Sequence, residues 1–129
     1  VRVNVTADPA YVIGSPANAT VTIAQNDFVV INTNNAGEGT LRQAVLNANA
    51  LVGDDTITFS DGTGGTVNFT DAVPDTIMLT GGQLTLASNV TLQGPGARKL
   101  AVSGNNASRV FEVAEGATVR ISGLTVTRG

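Results

Sequence analysis

From Leu84 to Gly129 the chain is a series of short apolar alternations cut by turn residues. The pairs are Leu84/Leu86, Val90/Leu92, Leu100/Val102, Val110/Val113, Val119/Ile121 and Leu124/Val126. Each burst is three to five residues long, and Gly, Asn, Ser or Pro separates most of them. Alternation at period two with turn residues between bursts predicts short strands with one side chain in and the next out. A fold for this chain must therefore stack many short strands.

The bursts also form two sets. Val110 follows Leu84 by 26 residues, Val119 follows Val90 by 29, and Leu124 follows Leu100 by 24. Three strands per set at a period in the twenties predict an all-β fold, a right-handed parallel β-helix with three faces per coil. Each strand would pair with its equivalent one coil along. An antiparallel sandwich with turns at similar spacing is the alternative that periodicity leaves open.

Composition narrows the function classes. At 129 residues the chain has room for one ordinary domain, or one domain and a fragment of another. Aromatic residues make up 4%, so the core is expected to be Val, Leu, Ile and Ala. There is no Cys and no His. That excludes a disulfide framework, a thiolate zinc site, a cysteine nucleophile and a Ser-His-Asp triad within this chain. The net charge of −3 argues against nucleic-acid binding through a broad basic surface. Residues 1–80 carry eight acids and two Arg, whereas 81–129 carry two Glu, four Arg and Lys99, a split of −6 against +3. No apolar run approaches the length of about 18 residues that a membrane span needs, so no membrane insertion by this segment is expected. Val1 is not an initiator Met, and the sequence reads as part of a longer protein.

The middle of the chain predicts one helix, at about 40–51. Thr40 and Gln43 fit a capping box. Leu41, Ala44, Val45, Ala48 and Leu51 fall on one face, and Gly53 is a natural stop. Arg42, the helix's one cation, is expected to bond nearby carbonyls or acids rather than a ligand. Further strands are expected at Thr56–Phe59, Thr66–Phe69 and Thr76–Leu79. Asp61-Gly-Thr-Gly-Gly65 reads as a turn: no Gly-Lys-Ser/Thr follows, so it is not a phosphate-binding loop. Asp54 and Asp55 precede a strand and read as capping or solvating a turn. Asp71 and Asp75 flank Pro74 in a loop. Five Asn-x-Ser/Thr triplets, at Asn4, Asn18, Asn68, Asn89 and Asn106, follow from an Asn- and Thr-rich composition.

Two resemblances add to this reading. Tyr11 and Thr22-Ile23-Ala24-Gln25-Asn26-Asp27 resemble the last strands of a Calx-β sandwich, so residues 1–27 are read as the C-terminal strands of such a domain. Some Calx-β domains bind calcium, but Gln25 stands where an acid is common, and no calcium site carries over. Residues 28–129 resemble the N-terminal cap and first coils of pectin-lyase-like parallel β-helix proteins of bacterial surfaces, among them adhesin-like and polymorphic outer-membrane-protein-like chains. The matching residues are Thr40-Leu41-Arg42-Gln43-Ala44-Val45, Asn47-Ala48-Asn49, Asp55-Thr56-Ile57-Thr58-Phe59 and Val90–Gly96. Gly39 and Gln43 depart from the Cys and Glu common in relatives, which removes a disulfide but not the cap. The resemblance implies a cap and first strands over 28–83 and coils over 84–129.

Pectin-lyase-like enzymes place clustered Asp with Arg or Lys on one outer strand face. Here the outward positions are mostly Thr, Ser, Ala and Gln, with charges at Arg98, Lys99, Arg109, Glu112, Glu115, Arg120 and Arg128. No catalytic, cofactor-binding or metal-binding residue is therefore assigned, and no cofactor is expected. The expected role is a structural or adhesive module of a bacterial extracellular or cell-surface protein. Two readings of its unfinished ends are open: the natural protein continues at both ends, or copies of the chain join head to tail into filaments through the open β-helix end and residues 1–27. A surface polysaccharide or a host or cell-surface ligand is a further expected partner. The competing reading is the cap of a polysaccharide lyase or hydrolase whose active site lies outside this chain.

Overall fold

The computed structural model describes residues 27–62 and 67–129. The Calx-β reading of residues 1–27 falls outside them, except for Asp27, which opens β1. The order is β1 (Asp27–Val30), α1 (Leu41–Ala50), β2 (Asp54–Phe59), β3 (Asp75–Met78), β4 (Leu84–Leu86), β5 (Asn89–Gln93), β6 (Leu100–Ser103), β7 (Phe111–Val113), β8 (Val119–Ser122) and β9 (Thr125–Thr127).

All strand pairs among the described residues are parallel. Sheet A runs β1-β2-β5-β8, sheet B runs β3-β6-β9, and sheet C is β4-β7. After the helix the chain visits A, B and C in that order twice, then A and B once more. Inward rows follow from the register. Ile57 lies against Leu92 and Leu92 against Ile121 in sheet A. Ile77, Val102 and Val126 line up in sheet B, and Leu86 meets Val113 in sheet C. Ile57, Ile77, Leu86, Leu92 and Val102 are fully buried.

The expected all-β right-handed parallel β-helix is corrected here. Among the described residues the content is mixed, one helix with nine strands, and the strands form three separate parallel sheets of four, three and two strands. No closed solenoid forms among the described residues. The physical reason lies at the two sides of the stack. Helix α1 occupies the chain between β1 and β2, so the first passage supplies a strand to sheet A alone. Among the described residues, β8 and β9 extend sheets A and B, and sheet C holds two strands.

The helix forms at 41–50 for the reasons its sequence suggests. Thr40 is the N-cap, and its hydroxyl accepts from the Gln43 amide at 3.1 Å. The reciprocal half of the capping box does not form: Gln43 Nε2 donates to Asn47 Oδ1 at 2.8 Å instead. Leu41, Ala44, Val45 and Ala48 are buried, whereas Leu51 caps the C-terminus and stays 39% exposed. Gly53, at φ +120°, lets the chain turn into β2. Residues 67–69 are not in a strand, contrary to the expectation for Thr66–Phe69. Phe69 instead inserts into the core and packs edge-on against Phe59, with centroids 5.5 Å apart.

Candidate functional site

Three regions of the described surface carry polar or apolar groups with unusual surroundings. The first is the side of the stack that α1 covers. Arg42 Nε donates to the Asn35 carbonyl at 3.1 Å, Nη1 to the Gln83 carbonyl at 3.2 Å, and Nη2 to the Gly82 carbonyl at 2.6 Å. Asn35 Oδ1 accepts from the backbone amides of Thr80 and Gly81 at 2.9 and 3.0 Å. Asn49 Nδ2 donates to the Thr85 carbonyl at 2.7 Å, and its Oδ1 accepts from the Ala87 amide at 2.9 Å. A primary amide presents a donor and an acceptor side by side, as a strand does. Asn49 therefore stands in for a strand beside β4. Arg42 is thereby placed on carbonyls, in a structural role. The outer edge of β4 is blunted, as a native sheet edge needs to be.

The second region is the opposite side. Val113, Ile121 and Val126 are 51%, 38% and 52% exposed. Their register partners Leu86, Leu92 and Val102 are all fully buried. These three side chains thus occupy core positions without a covering layer. Strands β7, β8 and β9 are the outermost strands of their sheets on this side.

The third region is a cleft of about 340 Å³ at the amino-terminal ends of β2, β5 and β8. Asp54, Asp55, Asn89, Thr91, Thr118 and Arg120 line it with Val90. Asn89 Nδ2 donates to Asp54 Oδ1 at 3.0 Å, and Asn89 Oδ1 accepts from the Thr118 amide at 2.9 Å. Asp55 is 3% exposed, and its Oδ2 is buried with no hydrogen-bond partner. The sequence sets Asp54 and Asp55 before a strand, capping or solvating a turn. In the structure they open β2 and separate: Asp54 is exposed and Asp55 is buried. The signal was present, because Asp55 shares parity with Ile57 and a period-two strand turns both to one side. What parity does not supply is the pairing that brings Asn89 beside Asp54 and sets Asp55 against Val90.

No family model, curated protein or solved structure matches this chain. Among the described residues, no group of three or more acidic side chains is placed to hold a metal ion. None of their helices is long and apolar enough to cross a membrane. The ion pair found among them, Arg109 to Glu112 at 3.6 Å, is solvent-exposed and contributes little to stability.

The loop before β3 holds a second set of acids. Partial burial, then repulsion from Asp71 and Asp61, raises the Asp75 carboxyl above its ordinary value of 3.8. The folded chain therefore holds this proton more tightly than the unfolded chain does. Ionised Asp75 disfavours the fold above the raised value, and that penalty fades as pH falls and is gone below 3.8. Asp75→Asn is expected to raise the melting temperature slightly at neutral pH and to leave it unchanged below 3.8. Thermal melts of both proteins across pH check this, and a gain that persists in acid would contradict it.

Proposed function

We propose that the chain is a non-enzymatic structural or adhesive module of a bacterial extracellular or cell-surface protein, joined end to end to its neighbour. The observation that carries this reading is the unequal treatment of the two sides of the stack. One side is finished: α1 buries its apolar face there, and Arg42, Asn35 and Asn49 bond the backbone of 80–87. The other side presents Val113, Ile121 and Val126 at core positions, on strands whose outer edge has no partner among the described residues. Apolar groups and free strand edges together favour the addition of further strands. The resemblance of residues 28–129 to the opening of bacterial surface proteins supports the location.

The test is association in solution. Light scattering across concentration is expected to show growth beyond the monomer, with elongated particles in electron micrographs. Val126→Lys, on an exposed position, is expected to keep the circular dichroism of the parent and abolish that growth. A parent chain that stays monomeric at high concentration would overturn the proposal, and so would a Val126→Lys variant that associates as the parent does.

A further inference from the structure

We propose that Asn68 is an N-glycosylation site, its side-chain amide taking a sugar from a glycosyl diphosphate. Five Asn-x-Ser/Thr triplets occur in the chain, and such a triplet is the acceptor sequence for this modification. Asn4 and Asn18 lie outside the described residues. The fold treats the other three differently. The site is independent of end-to-end association: Asn68 lies in the loop before β3, the edge strand of sheet B furthest from β9.

An amide nitrogen is a poor nucleophile because its lone pair is shared with the carbonyl. It becomes a good one when Nδ2 loses a proton and negative charge moves onto Oδ1. Donors already aimed at that oxygen stabilise the charge as it develops. Asn68 Oδ1 accepts from the Thr70 amide at 3.1 Å, the Thr70 hydroxyl at 2.8 Å and the Asp71 amide at 3.2 Å. None of these bonds uses Nδ2, the atom that would carry the sugar. The Thr70 hydroxyl also lies 3.0 Å from Asp61 Oδ2 and has one proton to give. The two backbone amides serve Asn68 either way.

Packing holds the triplet in this shape at the surface. Phe69 is fully buried and packs edge-on against Phe59, whereas Asn68 and Thr70 on either side of it are exposed. Lys99 Nζ donates to the Thr70 carbonyl at 2.6 Å. Residues 71–74 are exposed as well, which leaves a transferase room to approach.

The other two described triplets lack this arrangement. Asn89 sits in β5 with its amide committed at both ends, Nδ2 to Asp54 Oδ1 at 3.0 Å and Oδ1 to the Thr118 amide at 2.9 Å. Asn106 has φ +57°, and the hydroxyl of Ser108 is buried without a hydrogen-bond partner, so it does not reach the Asn106 side chain.

The transfer is a substitution at the anomeric carbon. Asn68 Nδ2 gives its proton to a base on the transferase and attacks that carbon. The N–C bond forms, the bond from the anomeric carbon to the diphosphate oxygen breaks, and the diphosphate leaves with the electron pair. Nothing is oxidised or reduced.

The experiment offers the folded 129-residue chain two donors. One arm pairs a soluble asparagine glycosyltransferase with a nucleotide diphosphate hexose. The other pairs a membrane oligosaccharyltransferase with a polyprenyl diphosphate oligosaccharide. Fragment mass spectrometry maps the sugar. Asn68 is expected to be loaded, and loading in one arm alone identifies the source. Asn68→Gln is expected to end loading at this site, Thr70→Ser to keep it, and Thr70→Val to slow it at least about tenfold. A measurement without enzyme separates the geometry from the triplet. Base-catalysed hydrogen exchange at Nδ2 passes through the same deprotonated amide and is expected to be about tenfold faster at Asn68 than at Asn106. No sugar on Asn68 in either arm, loading of Asn89 or Asn106 ahead of Asn68, or Nδ2 exchange no faster at Asn68 than at Asn106 would each overturn the proposal.

Discussion

Leu41→Asp is expected to abolish cooperative thermal unfolding at neutral pH. Leu41 begins α1, is fully buried and faces the core that the helix covers. Removal of a buried Leu side chain alone costs about 2–5 kcal/mol. A carboxylate in its place adds the cost of a buried charge with no partner, several kcal/mol more. The sum approaches the whole stability of an ordinary domain, about 5–15 kcal/mol. Leu46→Asp is the matched control: it lies in the same helix but is 54% exposed. Its cost is expected to stay within about 1 kcal/mol, set by helix propensity. Circular dichroism melts of the two variants separate a core-covering helix from a peripheral one. Equal melting temperatures would refute the assignment.

Gly94→Ala is expected to be among the most damaging glycine substitutions. Where β5 ends, the chain passes so close to the corresponding turn of the next layer that an added Cβ would collide with the Gly123 carbonyl, lying 2.6 Å from its carbon. The obstacle is backbone, pinned by Gly94 N to Ser122 O at 2.8 Å and Gly96 N to Gly123 O at 2.7 Å. Neither side can yield without losing those bonds. We expect a loss of about 3 kcal/mol, the upper end of ordinary overpacking, and a melting temperature lower by roughly 10 °C. Gly116 supplies the contrast. Its φ is +84° but nothing lies within 4 Å of a new Cβ. Gly116→Ala therefore meets only the backbone penalty of the left-handed region, about 1 kcal/mol. A Gly94→Ala protein as stable as Gly116→Ala would show that the layers can part at this corner.

How much of this was legible depended on whether one residue or a pairing was at issue. Thr40, Leu41, Ala44, Val45 and Ala48 announced the helix through spacing and cap chemistry, both of which are local. Leu51 broke the pattern because it ends the helix and no element covers it. The repeat spacing gave the pairing of β5 with β8 and of β6 with β9 correctly. It missed β4 with β7 by one residue: Leu84 pairs with Phe111, not Val110. Val110 and Phe111 are adjacent apolar residues, so parity could not choose between them. The closed all-β coil failed because local periodicity cannot say how many strands each sheet receives, and α1 takes the place of strands on the first passage. The cleft was hidden for a related reason. Asp54, Asn89 and Arg120 are ordinary polar residues until the register sets their strands side by side.

The Asn49 amide that stands in for a strand beside β4 also sets an order of events. A layer can dock only on a layer already in place, and the helix and its side-chain bonds supply the first such surface from the earlier part of the described chain. Assembly is then expected to proceed in the direction of synthesis. Strands β1 and β2 with α1 form a template, β3 to β5 extend it, and β6 to β9 follow. Each step closes a loop of 24 to 35 residues between paired strands, so none waits for a segment more than one layer away. Pulsed hydrogen exchange during refolding is expected to protect β2 and β5 before β8 and β9, and the reverse order would refute this sequence of steps. The seal over β4 thus acts as a primer, giving the growing chain a place to start and one direction in which to build.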